Sequence, residues 1–496
     1  MRDRALACVA AGIVLGISFP PVDLGPAALV ALVPLLWAWR GATPARAALY
    51  GFLFGLAFFG VLLEWTRYFG VVAVLVAVVG EAAFIAIAGG IVAVLERRGL
   101  RTPWLIGAVW VVVEGARGRI PFGGVPWGEI GAALHDIPVA RVFASLGGVT
   151  LVSFVVVVFN GLVLDAIDSV RHRTQTRLAW AGVGLSALVA CTVVASVARY
   201  EPEVTGDLRF ALLQGLDQNR DLTTAEIRSD FLMRHHLELA ARLRGEYDLI
   251  VFPESALERD PTRFRDVRAA LLAVAEAHDA VVLANARVLT ARGRLSNSNL
   301  AYDPDGELQG IYAKQHLVPY GEYVPLRDLL PFIEELDRIP FDYERGTERV
   351  MFRAGGHDFG TVICYESAFA PLVRGFVRDG AELIVVTTNN RSYRRSGLSA
   401  QHLALSQMRA AETGRPVLHA SISGITGVIE PDGRVHDTSE LFENRITSGT
   451  VQTTTGQTPY VRFGDWALVV CGLALVAVTV LGGVRARWRT AVDSGS

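Results

Sequence analysis

From Leu6 to about Ala198 the chain is a near-continuous series of long apolar runs, and one further run spans Trp466 to Val484. A helix needs about 20 apolar residues to cross a bilayer. Backbone in lipid must satisfy its own hydrogen bonds, so such runs fold as helices. Eight can be marked, at about 5–19, 25–39, 47–64, 71–95, 103–116, 143–167, 178–198 and 466–484. The first, second and fifth are short. The first follows Arg2 and Arg4 as a signal peptide would. Further apolar runs follow at once, however, and Pro20-Pro21 is a poor cleavage site, so it reads as a retained helix. Between Tyr200 and Gly464 the composition is that of a soluble domain. The expected organisation is a seven-span transmembrane domain over 1–199, a folded domain over 200–464, a C-terminal span over 465–484 and a tail over 485–496.

Arginine placement sets the expected orientation, because short loops rich in basic residues stay in the cytoplasm. With the N-terminus inside, the cytoplasmic segments hold Arg2, Arg4, Arg40, Arg46, Arg97, Arg98, Arg101, Arg171, Arg173, Arg177, Arg485, Arg487 and Arg489. The outer loops hold only Arg67, Arg117, Arg119 and Arg141. Both termini are therefore expected in the cytoplasm and the large domain outside it. The net charge of −2 and the lack of a polybasic run point away from a nucleic-acid partner. Zinc-type spacing, a P-loop and a GxGxxG after a strand are all missing, and no metal or cofactor is expected. Of the four cysteines, Cys8, Cys191 and Cys471 fall within apolar runs. Cys364 is alone in the outer domain, which leaves it either a buried inert thiol or a working one.

The outer domain alternates strand and helix. Strands are expected at 208–215, 247–255, 280–289 and 381–390, and helices at 224–244, capped by Thr223 or Thr224, at 262–278 and at 400–412. One hairpin turns at Pro304-Asp305-Gly306, a second near Gly355-Gly356, and a strand pair lies in "PVLHASISGITGVIEPDGRV". This order predicts two sheets covered by helices on their outer faces.

Three residues at strand ends stand out. Glu254 closes "YDLIVFPES", Cys364 closes "TVIC", and Lys314 follows "GIYA". Lys314 is the sole lysine among 47 basic residues. A guanidinium matches an ammonium as a solvated charge, but not as a compact donor in a tight site. A carboxylate can take a thiol proton, and an ammonium can stabilise first the thiolate and then the oxyanion formed on a carbonyl. Each residue alone has an ordinary explanation as a surface charge or a core thiol. The three together describe a nucleophilic centre.

The stretches "FPESAL", "YAKQHLVPYGEYVPL" and "GTVICYES" resemble the apolipoprotein N-acyltransferases, membrane members of the nitrilase (carbon–nitrogen hydrolase) superfamily. The resemblance extends to "RIPFGGVPWGEIG" (119–131) and the apolar run after it, so it covers almost the whole chain. It implies an αββα sandwich as the extracytoplasmic domain, beside a multi-pass helical domain in a bacterial plasma membrane. It implies a catalytic triad of Glu254, Lys314 and Cys364. It further implies that Glu322 orients the lysine or thiol, a solvated turn glutamate being the alternative, that the N–H of Tyr365 is an oxyanion donor, and that Glu366 holds the site together or is structural. The implied reaction takes an acyl chain from a membrane phospholipid, through a thioester on Cys364, to the α-amine of a diacylglyceryl-modified apolipoprotein. A lipid donor also suits the orientation, because ATP and acyl-CoA are missing outside the membrane.

The chain departs from the family pattern in two places. "QGLDQNRDLTTAE" (214–226) lacks a tryptophan, and Asn390 is followed by Arg391, Ser392 and Tyr393 in place of an aspartate and an aromatic pair. Both departures bear on substrate preference more than on the triad. The apolar "LRDLLPFIEEL" (326–336) suggests an arm, through Leu329, Leu330, Phe332 and Ile333, that either dips into the bilayer interface or packs on the domain's own core. A hydrolase using water as acceptor would share the triad. A transporter with an inactive outer domain is a further alternative, since Glu64 and Glu81 lie in or near apolar runs; against it, Glu64 is near the end of its run, Glu81 has no evident basic partner in the sequence, and the triad is intact.

Overall fold

The computed structural model describes residues 1–493 apart from 217, 221, 224, 227, 228 and 330–340. The chain divides into two compact units. The first holds Met1–Glu64, Val71–Arg199 and the chain from Phe463 onward, and the second holds Trp65–Gly70 and Tyr200–Arg462.

Every apolar run is helical in the first unit. The helices are α1 (Arg2–Ile17), α2 (Ala28–Ala31), α3 (Val33–Trp39), α4 (Pro44–Leu62), α5 (Val71–Arg97), α6 (Pro103–Arg117), α7 (Pro138–Arg171), α8 (Gln175–Val197) and α13 (Trp466–Asp493). Among the described residues, four stretches are long and apolar enough to cross a membrane: Pro44–Leu62, Val71–Arg97, Pro138–Arg171 and Leu178–Val197. Small residues let these helices approach closely. A Cβ on Gly12 of α1 would lie 2.3 Å from the Phe54 carbonyl oxygen of α4, and one on Gly55 would lie 2.7 Å from Ala82 of α5. Helix α7 is broken at Gly147 and Gly148, the latter at φ 74°.

Glu81 does have a basic partner, contrary to the sequence reading. Arg117 closes α6, far from Glu81 in sequence, and its Nη1 donates to Glu81 Oε2 at 2.7 Å. The same nitrogen donates to the carbonyls of Val125 (3.0 Å) and Trp127 (2.7 Å). Both side chains are nearly inaccessible, at 2% and 8%. The pair is thus a buried staple for the loop after α6.

Among the described residues, two six-stranded sheets form the second unit. One runs β12-β1-β2-β3-β4-β5 and the other β11-β10-β9-β8-β7-β6. Strands β1 (Glu203–Gln214), β2 (Leu249–Val251), β3 (Val281–Leu289), β4 (Leu295–Tyr302), β5 (Leu308–Ala313) and β12 (Arg445–Thr455) build the first. The second takes β6 (Phe352–Ala354), β7 (His357–Ile363), β8 (Leu383–Thr388), β9 (Val417–Ser421), β10 (Gly427–Ile429) and β11 (Val435–His436). Helices α9 (Phe231–Ala240) and α10 (Arg265–His278) cover the first sheet through Met233, Leu239, Val267 and Leu271. Helices α11 (Ala370–Arg378) and α12 (Leu398–Thr413) pack on the second. Between the sheets, Asn299 on β4 donates to Thr361 on β7 (2.7 Å) and Thr387 on β8 (3.0 Å).

The expected hairpins and layered sheets are present, with differences at the edges. Of the helix expected over 224–244, α9 covers Phe231–Ala240, Ala225 and Glu226 are helical, and 224, 227 and 228 lie outside the described residues; Thr223 and Glu226 accept each other's N–H groups, at 3.2 Å for that of Glu226 and 2.7 Å for that of Thr223. Strand β2 is only three residues long, so Glu254 sits in the turn beyond it. Strand β12 and helix α11 were not anticipated. Leu329 ends a short 3₁₀ turn from Arg327, and Leu330, Phe332 and Ile333 of the suggested arm lie outside the described residues.

Replacing Arg117 with methionine should leave Glu81 buried and unpaired, destabilising the protein by about 3–5 kcal/mol. Thermal unfolding in detergent would read this as a lowered midpoint. The double variant Glu81→Leu/Arg117→Met should recover part of the loss, since the carbonyls of Val125 and Trp127 still lack their donor.

Candidate active site

Three strands deliver the three residues. Lys314 follows β5 directly; its N–H donates to the Asn297 carbonyl at 2.8 Å and its own carbonyl accepts from Gly346 at 2.8 Å. Only glycine fits there, because a Cβ on Gly346 would lie 2.0 Å from the Ala313 carbonyl oxygen. Cys364 follows β7 at φ 53° and opens a 3₁₀ turn, Cys364–Ala368. Glu254 follows β2, and the next residue, Ser255, has φ 62°. A left-handed backbone costs a non-glycine residue about 1–2 kcal/mol, and its occurrence at two turns facing one cavity makes that cavity a candidate site. Ser255 is pinned by its N–H, which donates to Asn285 Oδ1 at 2.8 Å.

All three residues line one cavity of about 380 Å³, together with Glu322, Asn389 and Tyr393. Lys314 Nζ lies 3.5 Å from Glu254 Oε1 and 3.0 Å from Glu322 Oε1. Asn297 Nδ2 bridges the same two carboxylates, at 2.8 and 2.9 Å. The other Glu254 oxygen accepts the N–H of Asn389 at 2.7 Å, and the other Glu322 oxygen accepts that of Val318 at 2.8 Å. Lys314 is 1% exposed, Glu254 5% and Cys364 9%.

The charges follow from this arrangement. Burial works against the Lys314 ammonium, but Glu322 and Glu254 outweigh it and hold its pKa well above the usual lysine value. One cation cannot fully compensate two carboxylates. Burial raises the Glu254 pKa; Lys314 opposes that rise and Glu322 adds to it. A carboxylate with raised proton affinity suits a general base. Burial, with the charge of Glu254, pushes the Cys364 thiol up to about 12, against the pull of Lys314.

Glu366 lies behind the cavity and is fully buried. Its carboxylate accepts the Tyr312 hydroxyl (2.9 Å), the N–H groups of Gln315 (2.6 Å) and His316 (3.0 Å), and that of Ile363 (2.8 Å). It thereby ties the residues after Lys314 to the residue before Cys364. Burial raises its pKa to about 7. The Tyr365 ring, next to the nucleophile, packs edge-on against Phe369 at 5.1 Å.

Several participants escaped the sequence reading. Asn285, Asn297 and Asn299 form a buried ladder, with Asn285 Nδ2 donating to Asn297 Oδ1 (2.8 Å) and Asn299 Oδ1 (3.0 Å). The alternation in "LSNSNLAY" was the available signal: inward polar residues on a strand between apolar ones. Both departing stretches reach the cavity, through Leu222 in one and Arg391, Ser392 and Tyr393 in the other. The Tyr393 ring is flanked edge-on by Trp65 and Phe69, each at 5.4 Å, and Phe69 also lines the cavity. No local pattern pairs residues so distant in sequence. Among the described residues, Asp23, His135 and Asp136 in the first unit bring metal-type ligand atoms within 4.8 Å of one another. The two imidazole nitrogens of His135 already meet Asp23 (3.0 Å) and Asp136 (3.4 Å).

Residues 219–460 match the carbon–nitrogen hydrolase family, and residues 11–162 match the apolipoprotein N-acyltransferase N-terminal domain. The second unit is therefore a carbon–nitrogen hydrolase sandwich. A solved CN-hydrolase superfamily protein from Xanthomonas campestris aligns over 50% of this chain and 91% of its own, at 19% identity and a TM-score of 0.39. The apolipoprotein N-acyltransferase of Methylococcus capsulatus is 33% identical, with 95% of each chain covered. That of Geobacter metallireducens is 30% identical, covering 96% of this chain and 95% of its own. The chain belongs to the apolipoprotein N-acyltransferase family.

Replacing Glu322 with glutamine removes a negative charge that raises the Glu254 pKa. The acid limb of the pH profile for Cys364 acylation by a soluble ester should then move to lower pH, because Glu254 stays deprotonated further down. Movement to higher pH would contradict the electrostatic account.

Proposed function

We propose that the protein transfers an acyl chain from a membrane phospholipid to the α-amine of a diacylglyceryl-cysteine at the N-terminus of lipoproteins, through a thioester on Cys364. Glu254 accepts the thiol proton and the sulfur attacks the ester carbonyl. Lys314 and the N–H of Tyr365 stabilise the oxyanion. The lysophospholipid alkoxide leaves with the proton held by Glu254. The lipoprotein amine then attacks the thioester and gives a proton to Glu254, which returns it to the departing sulfur. An amide has formed and the thiol is restored. Glu322 and Asn297 hold Lys314 and Glu254 in register. Such two-step transfer is ping-pong.

The observation that carries this reading is the placement of Lys314 Nζ between Glu254 and Glu322 in the cavity that Cys364 also lines. Family membership supports the donor and acceptor classes. The arginine distribution supports eight spans, with both termini in the cytoplasm of a bacterial cell and the sandwich on the outer side. Both substrates then keep their chains in hydrocarbon while their polar ends reach the sulfur.

Intact-mass analysis of protein purified with phospholipid tests the reading. A fatty-acyl adduct is expected on Cys364, missing from Cys364→Ala and cleared by a diacylglyceryl peptide that gains the chain. Discharge to water at the same rate with and without the peptide would make the protein a hydrolase instead. Lys314→Arg keeps the charge but misplaces the donor, and should slow adduct formation about 10²–10³-fold. Normal adduct formation in that variant would remove the lysine from the mechanism.

A further inference from the structure

Two arginines, Arg287 and Arg391, line the cavity and take no part in the reaction above. Arg287 stands on β3 directly opposite Asn297 of β4, and Asn285 stands opposite Asn299. Directly opposed residues of an antiparallel pair share a face, as do residues two apart on one strand. The four side chains therefore form one patch. Asn299 bonds to the second sheet, Asn285 and Asn297 are buried, and Arg287 is exposed. The patch runs from the dry interior, past the level at which Asn297 holds Glu254 and Glu322, to water at Arg287. Arg391 enters from the second sheet. It opens the 3₁₀ turn Arg391–Tyr393 after β8, and its N–H donates to Asn389 Oδ1 at 3.1 Å. Asn389 in turn gives its own N–H to Glu254. Arg394 Nη1 donates to the Asn219 carbonyl at 3.0 Å, which ties this turn to the 214–226 stretch.

The other cation of the wall is committed elsewhere. Lys314 is shared by Glu254 and Glu322 and, in the reaction, faces the oxyanion. An anion entering the cavity meets the excess charge of those two carboxylates. The third carboxylate of the wall, Glu258, accepts the N–H groups of Leu232 (2.7 Å) and Met233 (3.1 Å) at the start of α9. Arg287 and Arg391 are the remaining charged side chains of the wall among the described residues. A glycerophospholipid carries its phosphodiester one glycerol unit away from an ester carbonyl. With that carbonyl at Cys364 Sγ, the phosphate lies toward the mouth, and a guanidinium fork matches its paired oxygens.

We propose that Arg287 and Arg391 bind the phosphodiester of the acyl donor and are specificity-determining residues that select a glycerophospholipid over a neutral glyceride. The proposal rests on reading the donor as a membrane lipid. It supplies a need the triad leaves open, since the two carboxylates around Lys314 repel the very headgroup that must approach them. A diacylglyceryl-cysteine acceptor has no phosphate, so the arginine pair acts on the donor and its lysophospholipid product and not on the acceptor.

The test is native mass spectrometry of the full-length Cys364→Ala protein in detergent, offered equal amounts of dioleoylphosphatidylglycerol and dioleoylglycerol. The two lipids share their chains and ester linkages and differ at the phosphodiester headgroup. The phospholipid should be retained in preference to the glyceride. Arg287→Gln/Arg391→Gln should cut that preference about 10–100-fold, the worth of a hydrogen-bonded contact between charged groups. Arg287→Gln alone, a change at an exposed position, should cut it at least about threefold and keeps the proposal falsifiable should the double variant not fold. An unchanged preference in either folded variant would overturn the proposal. Displacement of the phospholipid by millimolar inorganic phosphate alone would make this a free-anion site and overturn the lipid assignment. With Cys364 present, the same substitutions should lower the adduct rate from the phospholipid relative to that from the glyceride, and an equal fall with both would also overturn it. Lipid retention needs no acyl transfer. A protein that retains the phospholipid as expected but never carries an acyl adduct would therefore fail the acyl-transfer reading and not this one.

Discussion

The Lys314 ammonium, removed from water and shared by two carboxylates, is the interaction on which the catalytic unit is organised. Burying such a charge costs several kcal/mol unless paired and hydrogen-bonded. Glu254 and Glu322 meet that cost together, at 3.5 and 3.0 Å. Their excess negative charge is not a flaw. It leaves Glu254 with a raised proton affinity. In the proposed reaction, the side that accepts a proton and the side that stabilises an oxyanion are set by the same three charges.

Such an arrangement works only if the groups cannot drift apart, and each comes from a different strand. Three sets of hydrogen bonds fix them. Asn297 joins the two carboxylates and is itself held by Asn285. Asn299 fastens the first sheet to Thr361 and Thr387 of the second. Glu366 spends its carboxylate on Tyr312 and on backbone N–H groups beside both Lys314 and Cys364. Those bonds commit it to the frame, even though its pKa of about 7 would suit proton transfer.

Strand ends and helices in the sandwich were legible because alternation and turn chemistry are local, and the hairpins at Pro304–Gly306 and Gly355–Gly356 are examples. Glu254, Lys314 and Cys364 were legible because unusual residue types closed apolar strands. Strand β12 was not: its "RITSGTVQTTT" is polar, and it is a strand because β1 pairs with it along its whole length. Glu81 looked unpartnered for the same reason, since Arg117 meets it only once α5 and α6 pack. Pairings made by tertiary approach leave no spacing in the sequence.

The segment Trp65–Gly70 shows how far this extends. It connects α4 to α5, two helices apolar enough to cross a membrane, yet it belongs to the compact unit of the sandwich. Trp65 donates its indole N–H to Gln401 at 3.1 Å and packs on Tyr393, while Phe69 lines the cavity. Part of the cavity wall is therefore carried on a linker between helices of the other unit. The residues that face Tyr393 thus come from Trp65–Gly70, a segment continuous in sequence with α4 and α5, and not from the loops between the sandwich's own strands.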